Sequence, residues 1–65
     1  MKINTDKFRK KHGCEPTGAR NWKFKLSRNN INLRYYTADM DYEKAINHIQ
    51  GLAKRYEAQE ITLEP

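Results

Sequence analysis

The segment Asn21–Thr37, NWKFKLSRNNINLRYYT, decides how this chain folds. Trp22, Phe24 and Leu26 alternate with Lys23, Lys25 and Ser27; after a break, Ile31, Leu33 and Tyr35 alternate with Asn32, Arg34 and Tyr36. A period of two sends neighbouring side chains to opposite faces of an extended chain, so each half reads as a strand with one apolar face. Asn29 and Asn30 stand between the halves. Asn tolerates positive φ better than any residue except Gly, which suits a two-residue hairpin turn. Pairing across that turn sets Leu26 against Leu33, Phe24 against Tyr35 and Trp22 against Thr37 on one side. On the other side Lys25 meets Arg34 and Lys23 meets Tyr36. A slip of one residue would oppose Leu and Phe to Arg and Asn, so the register is well specified.

Working outward toward the C-terminus, Asp39 or Asp41 can cap a long helix over residues 39–59. Its apolar positions are Tyr42, Ala45, Ile46, Ile49, Leu52, Ala53 and Tyr56, one continuous helical stripe. Glu43 in its first turn suits the helix dipole. The tail EITLEP offers a short strand at 61–63, with Ile61 and Leu63 inward and Thr62 and Glu64 outward. Toward the N-terminus, CEPTGA (Cys14–Ala19) is a loop. Asn4 or Thr5 can cap a short basic helix over roughly residues 5–12 within 1–13, anchored by Ile3 and Phe8 and ended by Gly13.

The expected fold is therefore α+β, a small two-layer α-β-β-α-β domain. The antiparallel hairpin at 20–37 and the C-terminal strand make a three-stranded sheet in order 2-1-3, with one long amphipathic helix on one face and a right-handed crossover. With 65 residues there is one domain, 1–65, and a small core. The single Cys14 allows no internal disulfide and suits a reducing compartment. MKINTDKFRKKHG lacks the apolar stretch of a secretory signal, and no run approaches the ~20 apolar residues of a membrane span. The expected setting is the cytoplasm of a prokaryotic cell or of an infected one, with no membrane partner.

Charge is unevenly spread. Residues 1–36 hold ten Lys and Arg against Asp6 and Glu15, whereas residues 37–65 hold three against six carboxylates. A basic half favours an anionic partner, most commonly nucleic acid. On the outer hairpin face Lys25 opposite Arg34 is a like-charge pair, mildly destabilising without an anion nearby. Phosphates would relieve it, and Tyr36 beside Lys23 can stack on a base. Arg20 and Arg28 are expected to extend this face at the two strand ends. Lys7, Lys10 and Lys11, in the run KFRKKH, are expected to widen it from a docked N-terminal helix.

A second candidate face lies on the long helix, where Lys44, His48, Gly51 and Arg55 share one stripe opposite the core. Gly inside a helix is costly, and close approach of a partner backbone is one reason to keep it. His12, Cys14 and His48 fall short of the four ligands of a structural zinc site, and Asp39, Asp41 and Glu43 read as capping residues rather than a calcium loop. So no metal, cofactor or catalytic residue is expected, and the protein is expected not to be an enzyme. The layout, a Trp-bearing basic hairpin followed by an amphipathic helix, resembles the sheet-type DNA-binding domains of integrases and plant transcription factors. Those place three strands before the helix, where this chain has two. The β-β-α-β core is also similar to part of an RNA-recognition fold, without its aromatic signature.

The function expected first is a small basic, non-enzymatic DNA- or RNA-binding protein. The alternative is a small phage- or plasmid-encoded regulator or inhibitor that binds a host protein or nucleoprotein, such as a defence or transcription complex, through the Gly51 face. The Ile31–Thr37 edge, if uncovered, can also pair two copies into a homodimer.

Overall fold

Residues 2–65, which the computed structural model describes, run β1 (Ile3–Asn4), α1 (Asp6–His12), β2 (Ala19–Arg28), β3 (Ile31–Asp41), α2 (Tyr42–Tyr56) and β4 (Glu60–Leu63). β2 and β3 form the hairpin with Lys23 opposite Tyr36, Phe24 opposite Tyr35, Lys25 opposite Arg34 and Leu26 opposite Leu33, as the alternation predicts. Asn29 and Asn30 take φ of 46° and 68°. Two left-handed residues in succession match the twist of the strands they join.

Past Lys23 the register shifts. Asn21 stands opposite Asp39, so Thr37 and Ala38 together oppose Trp22 in a β-bulge. Side-chain bonds replace the expected Trp22–Thr37 pair. The Trp22 N–H donates to Thr37 Oγ1 at 2.9 Å, and the Asn21 amide donates to the Thr37 carbonyl at 3.0 Å. The Trp22 indole N–H then reaches the Met40 carbonyl at 2.9 Å. These bonds keep the chain extended to Asp41, which is why residues 39–41 belong to a strand and not to the expected helix start. α2 begins at Tyr42. Asp41 holds its N-cap position in extended conformation but makes no side-chain capping bond.

α2 also stops before the expected Gln59. Glu57 turns left-handed at φ 59°, the Ala58 N–H bonds the Ala53 carbonyl at 2.9 Å, and Ala58 is buried. This closure ends the helix and aims the chain into β4. At the other end Gly13 closes α1 in the same left-handed way, its N–H on the Arg9 carbonyl at 2.8 Å.

The sheet has four strands in order β1-β4-β2-β3, not three. The added strand is β1: Ile3 and Asn4 pair in parallel with Ile61 and Thr62. Ile3, expected to anchor a helix, is thus a strand residue. Two residues carry no periodicity, and their partner lies almost a chain length away, so nothing local announces the pairing. β4 lies between β1 and β2, and even its outward Thr62 is only 3% exposed.

Both helices pack on one face of this sheet. Trp22, Phe24, Leu26, Ile61 and Leu63 from the strands meet Phe8 of α1 and Ala45, Ile49 and Ala53 of α2 in a single core. Phe8 and Tyr42 flank Trp22, with ring centroids 5.7 and 4.8 Å away. A helix is about 10 Å across and strands lie about 4.8 Å apart, so α2 can cover roughly two strands. The Ile31 end of β3 falls outside that cover. Tyr35 is half-buried, whereas Ile31 and Leu33, expected in the core, are 63% and 46% exposed.

Candidate nucleic-acid interface

The face opposite the helices carries the Lys23–Tyr36 and Lys25–Arg34 pairs side by side. The bulge leaves them intact because it lies one position beyond Lys23. Tyr36 is 62% exposed, and Lys23 Nζ sits 5.9 Å from its ring centroid. Beside them the Ser27 hydroxyl donates to Asn32 Oδ1 at 3.0 Å. None of Lys23, Lys25 and Arg34 joins an ion pair among the described residues. An open hollow of about 210 Å³ is lined by Lys23, Arg34, Tyr36, Glu64 and Pro65. Carboxylates bound the patch: Glu64 at the hollow, Glu60 opposite Ser27, and Asp39 opposite Asn21. It is a compact cationic spot rather than a basic surface.

The other predicted contacts lie elsewhere. Arg28 is on the helix side, where it bonds the Tyr56 carbonyl at 3.2 Å and pairs with Glu57 at 3.3 Å. A cation at a helix C-terminus is favourable, and that accounts for Arg28 without a ligand. Arg20 folds over the rings of Phe8 and Trp22, 5.6 and 5.2 Å from their centroids. Since Phe8 docks α1 onto the helix side, Lys7, Lys10 and Lys11 do not widen the outer patch. Arg9 is occupied too. Its hydrogen bond to Asp6 and then its contacts with Glu15 raise its pKa, holding the guanidinium in its charged form.

The stripe on α2 does assemble. His48 Nε2 lies 2.8 Å from the Tyr35 hydroxyl, and His48, Gly51 and Arg55 line one hollow with Asn47 and Leu52. Lys44 lies one turn before His48 on the same stripe. A Cβ at Gly51 would meet nothing within 4 Å and its φ is not left-handed. The fold therefore has no need of glycine there, though it costs about 1 kcal/mol relative to Ala. The alternation in sequence puts Ile31 and Leu33 in the core and offers the Ile31–Thr37 edge only as a homodimer contact; it misses that both side chains are exposed. The signal was present in the ratio of one long helix to a sheet wider than it can cover.

Cys14 is exposed, and among the described residues no group of three His, Cys, Asp or Glu could hold a metal. No described helix is long and apolar enough to cross a membrane. Burial raises the pKa of the Tyr42 phenol, with the nearby Glu15 carboxylate a lesser contributor. In comparison with known proteins, no family model matches the chain, and neither does any curated protein or solved structure.

Proposed function

We propose that the chain is a small, non-enzymatic nucleic-acid-binding protein that takes a phosphate backbone across the outer hairpin face. The supporting observation is the Lys25–Arg34 pair, two opposed cations on the outer sheet face with no carboxylate bonded to either among the described residues. Opposed like charges cost stability that a bound phosphate returns. Lys23 extends the contact along β2. Tyr36 offers a base a ring to stack on, and only an unpaired base can use it, so single strands bind more tightly than duplex. With backbone contacts dominating, binding is salt-sensitive and nearly indifferent to sequence.

Anisotropy titrations with labelled single-stranded DNA, duplex DNA and RNA at low salt test this reading. Saturable binding, strongest for single strands and lost on raising salt, is the expected outcome. No binding to any of the three at low salt removes the proposal.

A further inference from the structure

The groove between α2 and the free edge of β3 is separate from the outer sheet face. Two contacts fix how α2 runs along β3. The Tyr35 hydroxyl meets His48, and Arg28, the hairpin partner of Ile31, meets the Tyr56 carbonyl. Tyr35 is thus level with the middle of α2 and Ile31 with its end. Leu33, between them on the same face, comes level with Gly51, Leu52 and Arg55. A hollow of about 240 Å³ lies along this stretch of α2, lined by its own Asn47, His48, Gly51, Leu52 and Arg55.

Three independent features converge on this groove. β3 ends the sheet order, so its outer backbone groups have no strand partner. From Ile31 to Tyr36 the edge carries no proline or bulge, and its one charge, Arg34, lies on the outer face; the bulge lies beyond, at Thr37–Ala38. Second, Ile31 and Leu33 are exposed on the helix-facing side of β3, and the missing Gly51 side chain leaves open space on α2 that the fold itself does not use. Third, the rim is cationic. Lys44 and Arg55 have no carboxylate partner among the described residues, and Glu57 at this end of α2 is taken by Arg28.

We infer that this edge binds an extended acidic segment of a partner protein, added to the sheet as a further strand beside β3. Backbone pairing supplies the common contact, as in other strand-addition complexes. Alternate apolar side chains of the segment lie on Leu33 and Leu52 above Gly51, and its carboxylates meet Lys44 and Arg55. A second copy of this chain fits poorly. Two-fold pairing of β3 edges would run the two α2 helices antiparallel, bringing Lys44 of one beside Arg55 of the other with no carboxylate between. Nucleic acid supplies the charge but neither the strand edge nor the apolar side chains.

The test uses a labelled peptide alternating Glu with Val, compared with its Lys–Val counterpart, titrated onto the full chain by anisotropy. Saturable binding of the Glu peptide is expected, with the Lys peptide and the Leu33→Lys and Arg55→Glu variants each about tenfold weaker or worse. Gly51→Ala is expected to raise Tm while weakening the peptide. Equal binding of both peptides, or binding of neither, overturns the inference. So does displacement of the Glu peptide by single-stranded DNA. Sedimentation of the free chain as a dimer that Leu33→Lys dissolves would replace it with self-association.

Discussion

Replacing both Lys25 and Arg34 by Gln should weaken nucleic-acid binding and strengthen the fold at the same time. The outer face offers three cations to a backbone, Lys23, Lys25 and Arg34. At about 0.7 counterions released per phosphate of a single strand, the wild-type slope of log K against log salt is roughly −2, and the double variant retains roughly −0.7. Raising salt from about 50 to 200 mM then costs the wild type about 18-fold in affinity and the variant only about 2.6-fold. In the free protein, removing opposed like charges recovers a few tenths of a kcal/mol. For a domain this small that is a Tm rise of about 2–4 °C at low salt. The assays are anisotropy titrations across a salt series and thermal melts of the free chains. A Lys7, Lys10, Lys11→Gln triple variant is the control, since α1 lies on the other side of the sheet. If the triple variant flattens the slope and the double variant does not, the outer face is the wrong surface. A fall in Tm for the double variant refutes the account of the pair as a cost.

Thr37→Val keeps the volume but strips the acceptor of the buried Trp22 N–H. It should cost about 1–3 kcal/mol in denaturant unfolding, with Thr37→Ser much milder; equal costs would mean the bulge does not depend on this bond. Tyr42 is protonated more tightly in the folded chain than in the unfolded one, because burial raises its phenol above 10.0. Its contribution is whole below pH 10.0 and is lost as pH climbs from there through the raised value. Tyr42→Phe should flatten that alkaline part of the stability profile, and an unchanged profile contradicts the burial account. Leu33→Thr should change stability by no more than about 0.5 kcal/mol while Leu26→Ala, its cross-strand partner, costs about 2–5. Similar costs for the two would put Leu33 under α2 after all.

The hairpin was legible because period-two alternation and an Asn-Asn turn are local signals, and every predicted pair from Lys23 to Leu26 is present. The long helix and the C-terminal strand were legible for the same reason, apart from their ends. What escaped were features set by tertiary context. The bulge opposite Trp22 depends on where the Thr37 hydroxyl and the Met40 carbonyl lie in space. β1 depends on a parallel partner at the far end of the chain. Arg20 and Arg28 share the parity of Trp22, Phe24 and Leu26, so alternation itself sends them to the helix side, where aromatic rings and the end of α2 hold them. Counting them with Lys23 and Lys25 followed nearness in sequence and not the pleat, which separates the two sets.

The width of α2 explains why the candidate surfaces are two and why they differ in chemistry. Its buried positions include the small Ala45 and Ala53, so it settles closely over β2 and the Tyr35–Met40 part of β3 and leaves the Ile31 end of β3 to one side. The apolar side of β3 is then stranded beside the helix, and its polar side remains on the open sheet. Arg34 and Leu33 are neighbours in sequence, but the pleat separates the charge-led surface from the edge-led one. Ile31 and Leu33 on an unguarded edge weigh against aggregation resistance. Together with a helix glycine that packing does not require, they are the features that the proposed strand addition would use.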